Sequence, residues 1–134
     1  VRERFFHFEF FRTAEGKIVA LEVNLRPPGG LTTDMFNYAN DIDIYAEWAH
    51  VIVHNRFTAE YSRPYHCCYV GRKFNRPYLH THEEVLSNFP RQLCDYQYIS
   101  GVFSAALGDY GYLVRSPDLD EVLEIAHYIQ APPA

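Results

Sequence analysis

The sequence has no apolar run approaching the ~18 residues that a membrane-spanning helix needs. No membrane span is therefore expected in these residues. No signal-peptide pattern is legible, and neither an internal repeat nor a low-complexity tract appears. Basic residues are in the minority: the 134 residues carry a formal charge of -5 at pH 7, which argues against a general nucleic-acid-binding surface but leaves room for a local cationic site. Cysteine is scarce too. Cys67, Cys68 and Cys94 form no C-x-x-C pattern, and an odd number with an adjacent pair fits a reduced, cytoplasmic setting. We read Cys67 and Cys68 as ordinary strand residues.

What is present is an apolar chain large enough for one domain or two small subdomains, 48% hydrophobic. It opens on Val1 rather than Met, and "RERFFHFEFF" reads as the approach to a strand with no element before it. The expectation is a piece of a longer protein. Residues 5–12 read as an aromatic-rich strand, Thr13–Lys17 as a turn around Gly16, and Ile18–Arg26 as a second strand, together a hairpin. "RPPGG" then breaks regular structure. Thr32 or Thr33 is expected to cap a short helix through Ala39, with Asp34 a further cap candidate. Asp41 or Asp43 is expected to cap a second helix through about His54, with Ile44, Tyr45, Trp48, Ala49 and Ile52 at helical spacing.

From Phe57 the character changes. "YHCCYVGRK", "LCDYQYI" and "ALGDYGYLVRS" read as strands and "HTHEEVLSNF" as a helix. "SPDLDEVLEIAHYIQ" reads as an amphipathic helix capped by Ser116, with Leu119, Val122, Leu123, Ile125, Ala126 and Ile129 on its apolar face. The closing "APPA" is expected to be a ragged end. The predicted class is α+β with antiparallel sheets dominant, in two subdomains, 1–60 and 61–134.

The strand "KIVALEVNLRPPGG" raises the functional question. Side chains alternate across a strand. Strict alternation puts Val19, Leu21, Val23 and Leu25 on one face and Ile18, Ala20, Glu22, Asn24 and Arg26 on the other. In the first strand Phe6, Phe8 and Phe10 share one face, with Phe5, His7, Glu9 and Phe11 on the other. Glu9 is then expected near Glu22 across the hairpin. Two carboxylates and an amide oxygen are hard ligands suited to Mg²⁺. Arg26 offers a planar fork for a phosphate or carboxylate. The alternative is a solvated sheet face, which often carries such residues. The glycines of Pro27-Pro28-Gly29-Gly30 would let backbone approach a ligand closely.

The stretch "FHFEFFRTAEGKIVALEVNLRPPGG" resembles the C-terminal catalytic hairpin of the ATP-grasp superfamily: an acidic residue on one strand, a turn, then Glu-x-Asn on the next. Here these are Glu9, the turn at Gly16, and Glu22-Val23-Asn24. Arg26 matches the Arg that several members carry two residues after the Asn. The resemblance is specific over residues 6–30, and looser to Arg56. It implies the antiparallel-sheet half of an ATP-grasp fold with packed helices, followed by a small α+β C-terminal subdomain. It implies ATP and two Mg²⁺ ions (Mn²⁺ as a substitute) held by Glu9, Glu22 and Asn24. Arg26 would be catalytic, holding with Gly29 and Gly30 a small-molecule carboxylate or its acyl-phosphate. The activity implied is ATP-dependent joining of that carboxylate to an amine or similar nucleophile. The partner would be the N-terminal ATP-grasp half of the same protein, without which this piece is expected to be inactive, and a homodimer is compatible. Nucleic-acid and membrane partners are not expected. A carbamoyl-phosphate-synthase-type homologue and a non-catalytic nucleotide-, metal- or protein-binding remnant are the alternatives.

Other candidates carry plainer readings. His7 lies two residues before Glu9 and could orient a ligand or make a structural hydrogen bond. His50 and His54 have metal-ligand spacing but no third ligand nearby. His80-Thr81-His82 reads as capping chemistry. Arg72 and Lys73 could touch an anion, or form a solvated strand end. The tyrosine-rich strands read as sheet packing rather than a stacking platform, because no basic groove is legible beside them.

Overall fold

The computed structural model describes residues 3–133. The element order is β1 (His7–Arg12), β2 (Ile18–Asn24), α1 (Thr32–Asn40), α2 (Ile44–His54), β3 (His66–Arg72), α3 (His82–Asn88), β4 (Leu93–Tyr98), α4 (Ser104–Leu107), β5 (Tyr110–Ser116) and α5 (Leu119–Gln130). The class is α+β: two antiparallel sheets, β1-β2 and β3-β5-β4, with five helices among the described residues. No helix there is long and apolar enough to cross a membrane. Of the "APPA" end, Ala134 lies outside the described residues.

The chain forms two compact units, Val1–Thr33 with Asp43–Glu60, and Asp34–Ile42 with Tyr61–Ala134. Most of α1 therefore belongs with the later residues. Backbone and side-chain bonds explain this: Tyr65 N–H donates to Ala39 O at 3.2 Å, and Arg115 Nη1 donates to Tyr38 O at 3.0 Å and also bonds Asp41.

In the first unit the turn closes as expected, with Thr13 N–H on Lys17 O at 2.9 Å and Gly16 at φ 81°. Gly tolerates that left-handed conformation without a Cβ clash. Asp43 caps α2 by accepting from Ala46 N–H at 3.0 Å, and Asn55 ends it in the left-handed region at φ 52°. The buried face of α2 is not the expected one. Ile44, Glu47 and Val51 turn inward, whereas Tyr45, Trp48 and Ile52 are exposed. Glu47 is drawn in by Thr58, whose N–H and Oγ1 donate to its two carboxylate oxygens at 2.6 and 2.8 Å. The Thr58 backbone bond holds the Glu47 carboxyl below its ordinary range. Nor does Thr33 cap α1. It lies inside the helix, buried, with Oγ1 donating to Pro28 O at 3.2 Å, and Asp34 sits in the first turn.

The second unit has the better-developed core. Helix α5 packs on β3 and β5, and Val70, Val85, Tyr112, Val114, Val122, Ile125 and Ile129 form one buried cluster. Thr81 and Glu84 make a reciprocal capping box at the start of α3. Asp118, rather than Ser116, caps α5. Ser116 is drawn aside: its Oγ accepts from Asp118 N–H at 3.0 Å and bonds Glu121. Leu119 and Leu123, expected on the apolar face, stay about half exposed. All three cysteines are free. Burial pushes the Cys67 thiol up to about 12.

Candidate functional site

The hairpin brings the acidic residues together. Glu9 stands in register with Glu22, and His7 with Asn24. Asn24 Nδ2 donates to Glu22 Oε1 at 2.7 Å, which orients that carboxylate and leaves the Asn24 amide oxygen for another partner. His7 Nε2 lies 3.6 Å from Glu9 Oε1. The four side chains thus occupy one face, and neither glutamate is ion-paired with a lysine or arginine among the described residues.

Alternation along β2 is interrupted. Phe10 pairs with Ala20, so Leu21 is an extra residue opposite the Glu9–Phe10 step. A bulge of this kind shifts every later side chain to the other face. Val19, paired with Phe11, therefore joins the Glu9 face, while Ile18 and Ala20 leave it. The expected unbroken apolar set of Val19, Leu21, Val23 and Leu25 does not form.

Arg26 does not continue the pleat. β2 ends at Asn24, and Leu25 and Arg26 form a bend. Pro27 restricts the residue before it, and two prolines supply no donors for a ladder. Arg26 Nη1 donates to Pro27 O at 2.9 Å. Gly29 has open space around it, and Gly30 takes φ 63°. The loop thus has the freedom a ligand-approaching backbone needs, but the chain does not itself join Arg26 to the carboxylates.

A fit to Mg²⁺ rests on the donor set. Two carboxylates facing each other without a cation repel, and Mg²⁺ commonly takes one or two carboxylates with water and phosphate oxygens completing its shell. Glu9, Glu22 and Asn24 supply that minimum. They do not make a self-sufficient cage: among the described residues, no group of three or more His, Cys, Asp or Glu side chains is arranged to hold a metal ion. The His50 and His54 rings lie 6.1 Å apart between centroids, tilted at 49°, without a third ligand, and His50 lies against Glu47.

The hairpin face opposite the glutamates, which carries Phe8 and Phe10, is open among the described residues. Phe6, Phe8 and Phe10, with neighbouring rings 5.8 and 6.1 Å apart, form an exposed ladder. The segment before β1 is tied down by Arg4 Nη1 on Asn55 Oδ1 at 2.8 Å and by the Phe5–Phe57 ring contact at 6.1 Å.

Of the two readings open for Arg72, an anion contact or a solvated strand end, the solvated one fails: Arg72 is buried, 8% exposed, beside a cavity. Its strand position carried no such signal, because the residues around it come from Tyr78, Tyr112 and Ile129. No protein-family model matches the chain, and no curated protein matches it.

Proposed function

We propose that this chain is the C-terminal part of an ATP-grasp ligase that activates a small-molecule carboxylate as an acyl-phosphate and passes it to an amine or similar nucleophile. The observation that carries the reading is the in-register Glu9–Glu22 pair with Asn24 fixed on Glu22. In the reaction, a carboxylate oxygen bonds the γ-phosphorus of ATP as the bond to ADP breaks. The nucleophile then attacks the acyl carbon and phosphate leaves. Glu9, Glu22 and Asn24 would hold Mg²⁺, which supplies neutralisation of phosphate charge. Arg26, released from Pro27 O, is the proposed partner of the carboxylate, with Gly29 and Gly30 letting backbone close over it. The exposed Phe6–Phe8–Phe10 ladder supports cover by the preceding half of the ATP-grasp domain, since an isolated two-stranded hairpin is marginal in water.

A second reading, a non-catalytic remnant that binds a partner protein, draws on that same exposed ladder and on the lack of a self-sufficient metal cage. Turnover separates the two. In the full-length protein, Glu22→Gln is expected to lower ATP consumption about 10²-fold or more, the scale of losing one preorganised charge at a reacting centre. Near-normal turnover in that variant, or no ATP consumption by the parent protein across a panel of carboxylates and amines, rules the ligase out.

A further inference from the structure

Arg72 ends β3 and is held on several sides. Its carbonyl accepts from Asp109 N–H at 2.7 Å, and its Nε donates to Ile129 O at 2.8 Å. The guanidinium lies 4.6 Å from the Tyr78 ring centroid and 5.6 Å from that of Tyr112. Nη2 is closed to solvent and has no hydrogen-bond partner, and no carboxylate of the described residues forms an ion pair with Arg72. Ring faces and one carbonyl offset part of a buried cation, but the full charge calls for an anion.

The surroundings add positive charge rather than cancel it. Arg72 lines an open cavity of about 410 Å³ with Lys73 and Arg76, against a single carboxylate, Glu83. The volume falls within the range of small-molecule sites, roughly 300–1,000 Å³. The lysine, arginine and glutamate side chains of the lining sum to two positive charges, the complement of a phosphate monoester. Much of the remaining lining is aromatic. Phe74 and Tyr98 meet edge-on at 6.1 Å and Tyr98 and Tyr110 at 5.0 Å, and both Phe74 and Tyr98 are largely exposed. His82 Nδ1 is bonded to Tyr112 Oη at 2.9 Å, and both residues line the cavity.

We propose that this cavity is a second binding site, for a phosphate monoester of a molecule that also bears an aromatic ring, such as a nucleoside monophosphate. The phosphate meets Arg72, Lys73 and Arg76, and the ring lies on Phe74 and Tyr98. Arg gives a forked, charge-assisted contact and the exposed rings give stacking. The site lies wholly in the second unit and does not depend on the glutamate face of the hairpin.

The test is calorimetric titration of the 134-residue chain with AMP, and separately with ribose 5-phosphate, in buffer containing EDTA. EDTA removes any metal-dependent nucleotide binding at Glu9 and Glu22. AMP is expected to bind saturably at submillimolar concentration and at least fivefold tighter than ribose 5-phosphate, which carries the same monoester without an aromatic ring. Lys73→Ala and Arg76→Ala, on side chains outside the core, are each expected to weaken AMP about tenfold, the scale of one charge-assisted hydrogen bond. Tyr98→Ala should weaken AMP and leave ribose 5-phosphate unchanged, and Glu22→Gln should change neither. Absence of saturation by 10 mM overturns the proposal. So does equal affinity for the two ligands, indifference to both cation variants, or loss of binding in Glu22→Gln.

Discussion

Glu9 faces Glu22 across the hairpin with no lysine or arginine paired to either. Like charges directly opposite on a sheet destabilise it by roughly 0.2–1 kcal/mol. Without divalent metal, Glu9→Gln should therefore stabilise the hairpin by about that amount, seen as slower amide exchange along β2. Mg²⁺ should slow the same amides in the parent chain and leave the variant unchanged. A variant that exchanges faster than the parent in metal-free buffer contradicts the repulsion argument.

The Gly71–Gly111 pair is covered by the Tyr69 ring, whose Oη donates to Leu107 O at 2.7 Å. A Cβ on Gly71 would lie 2.1 Å from that same Leu107 oxygen. Backbone must shift, so Gly71→Ala should destabilise the second unit by about 1–3 kcal/mol, the usual range for overpacking. Urea unfolding followed by tyrosine fluorescence measures it, and an unchanged midpoint would show that the α4 end yields freely.

Ile129 is fully buried on α5, whereas Leu119 of the same helix is 48% exposed. Ile129→Ala should destabilise by about 2–5 kcal/mol, transfer and cavity terms together. Leu119→Ala should fall within about 0.5 kcal/mol of the parent, as surface changes do. Comparable losses in both variants would mean that Leu119 is covered in solution.

Burial raises Cys67 and Tyr110, each to about 12 from ordinary values of 9.0 and 10.0. Both are neutral when protonated, so the folded state retains protons that the unfolded chain gives up. Stability from these groups is therefore complete below about pH 9 and is lost as pH rises toward 12. Unfolding midpoints at pH 7, 9 and 10.5 should be level across the first interval and fall across the second. Cys67→Ala should reduce the fall, and a midpoint that rises above pH 9 would contradict the sign.

The sequence by itself determined what depends on neighbours in the chain. The turn at Gly16, the Asp43 cap, the Thr81–Glu84 box and the bounds of α2 each rest on contacts a few residues apart, and the α+β class follows from those periods. Tertiary structure alone decided the rest. The bulge at Leu21 depends on what stands across the hairpin, and it moves Val19 onto the Glu9 face against strict alternation. Thr58 turns Glu47 inward and so sets which side of α2 is buried. Ser116 looked like the α5 cap until Glu121 and the Asp118 N–H claimed its hydroxyl. The sequence left Arg72 open between an anion contact and a solvated strand end because its companions lie far along the chain: Ile129 supplies its carbonyl, and Tyr98 and Tyr110 help line the cavity beside it. A one-dimensional pattern records the period of a side chain, but not which distant carbonyl or ring will meet it.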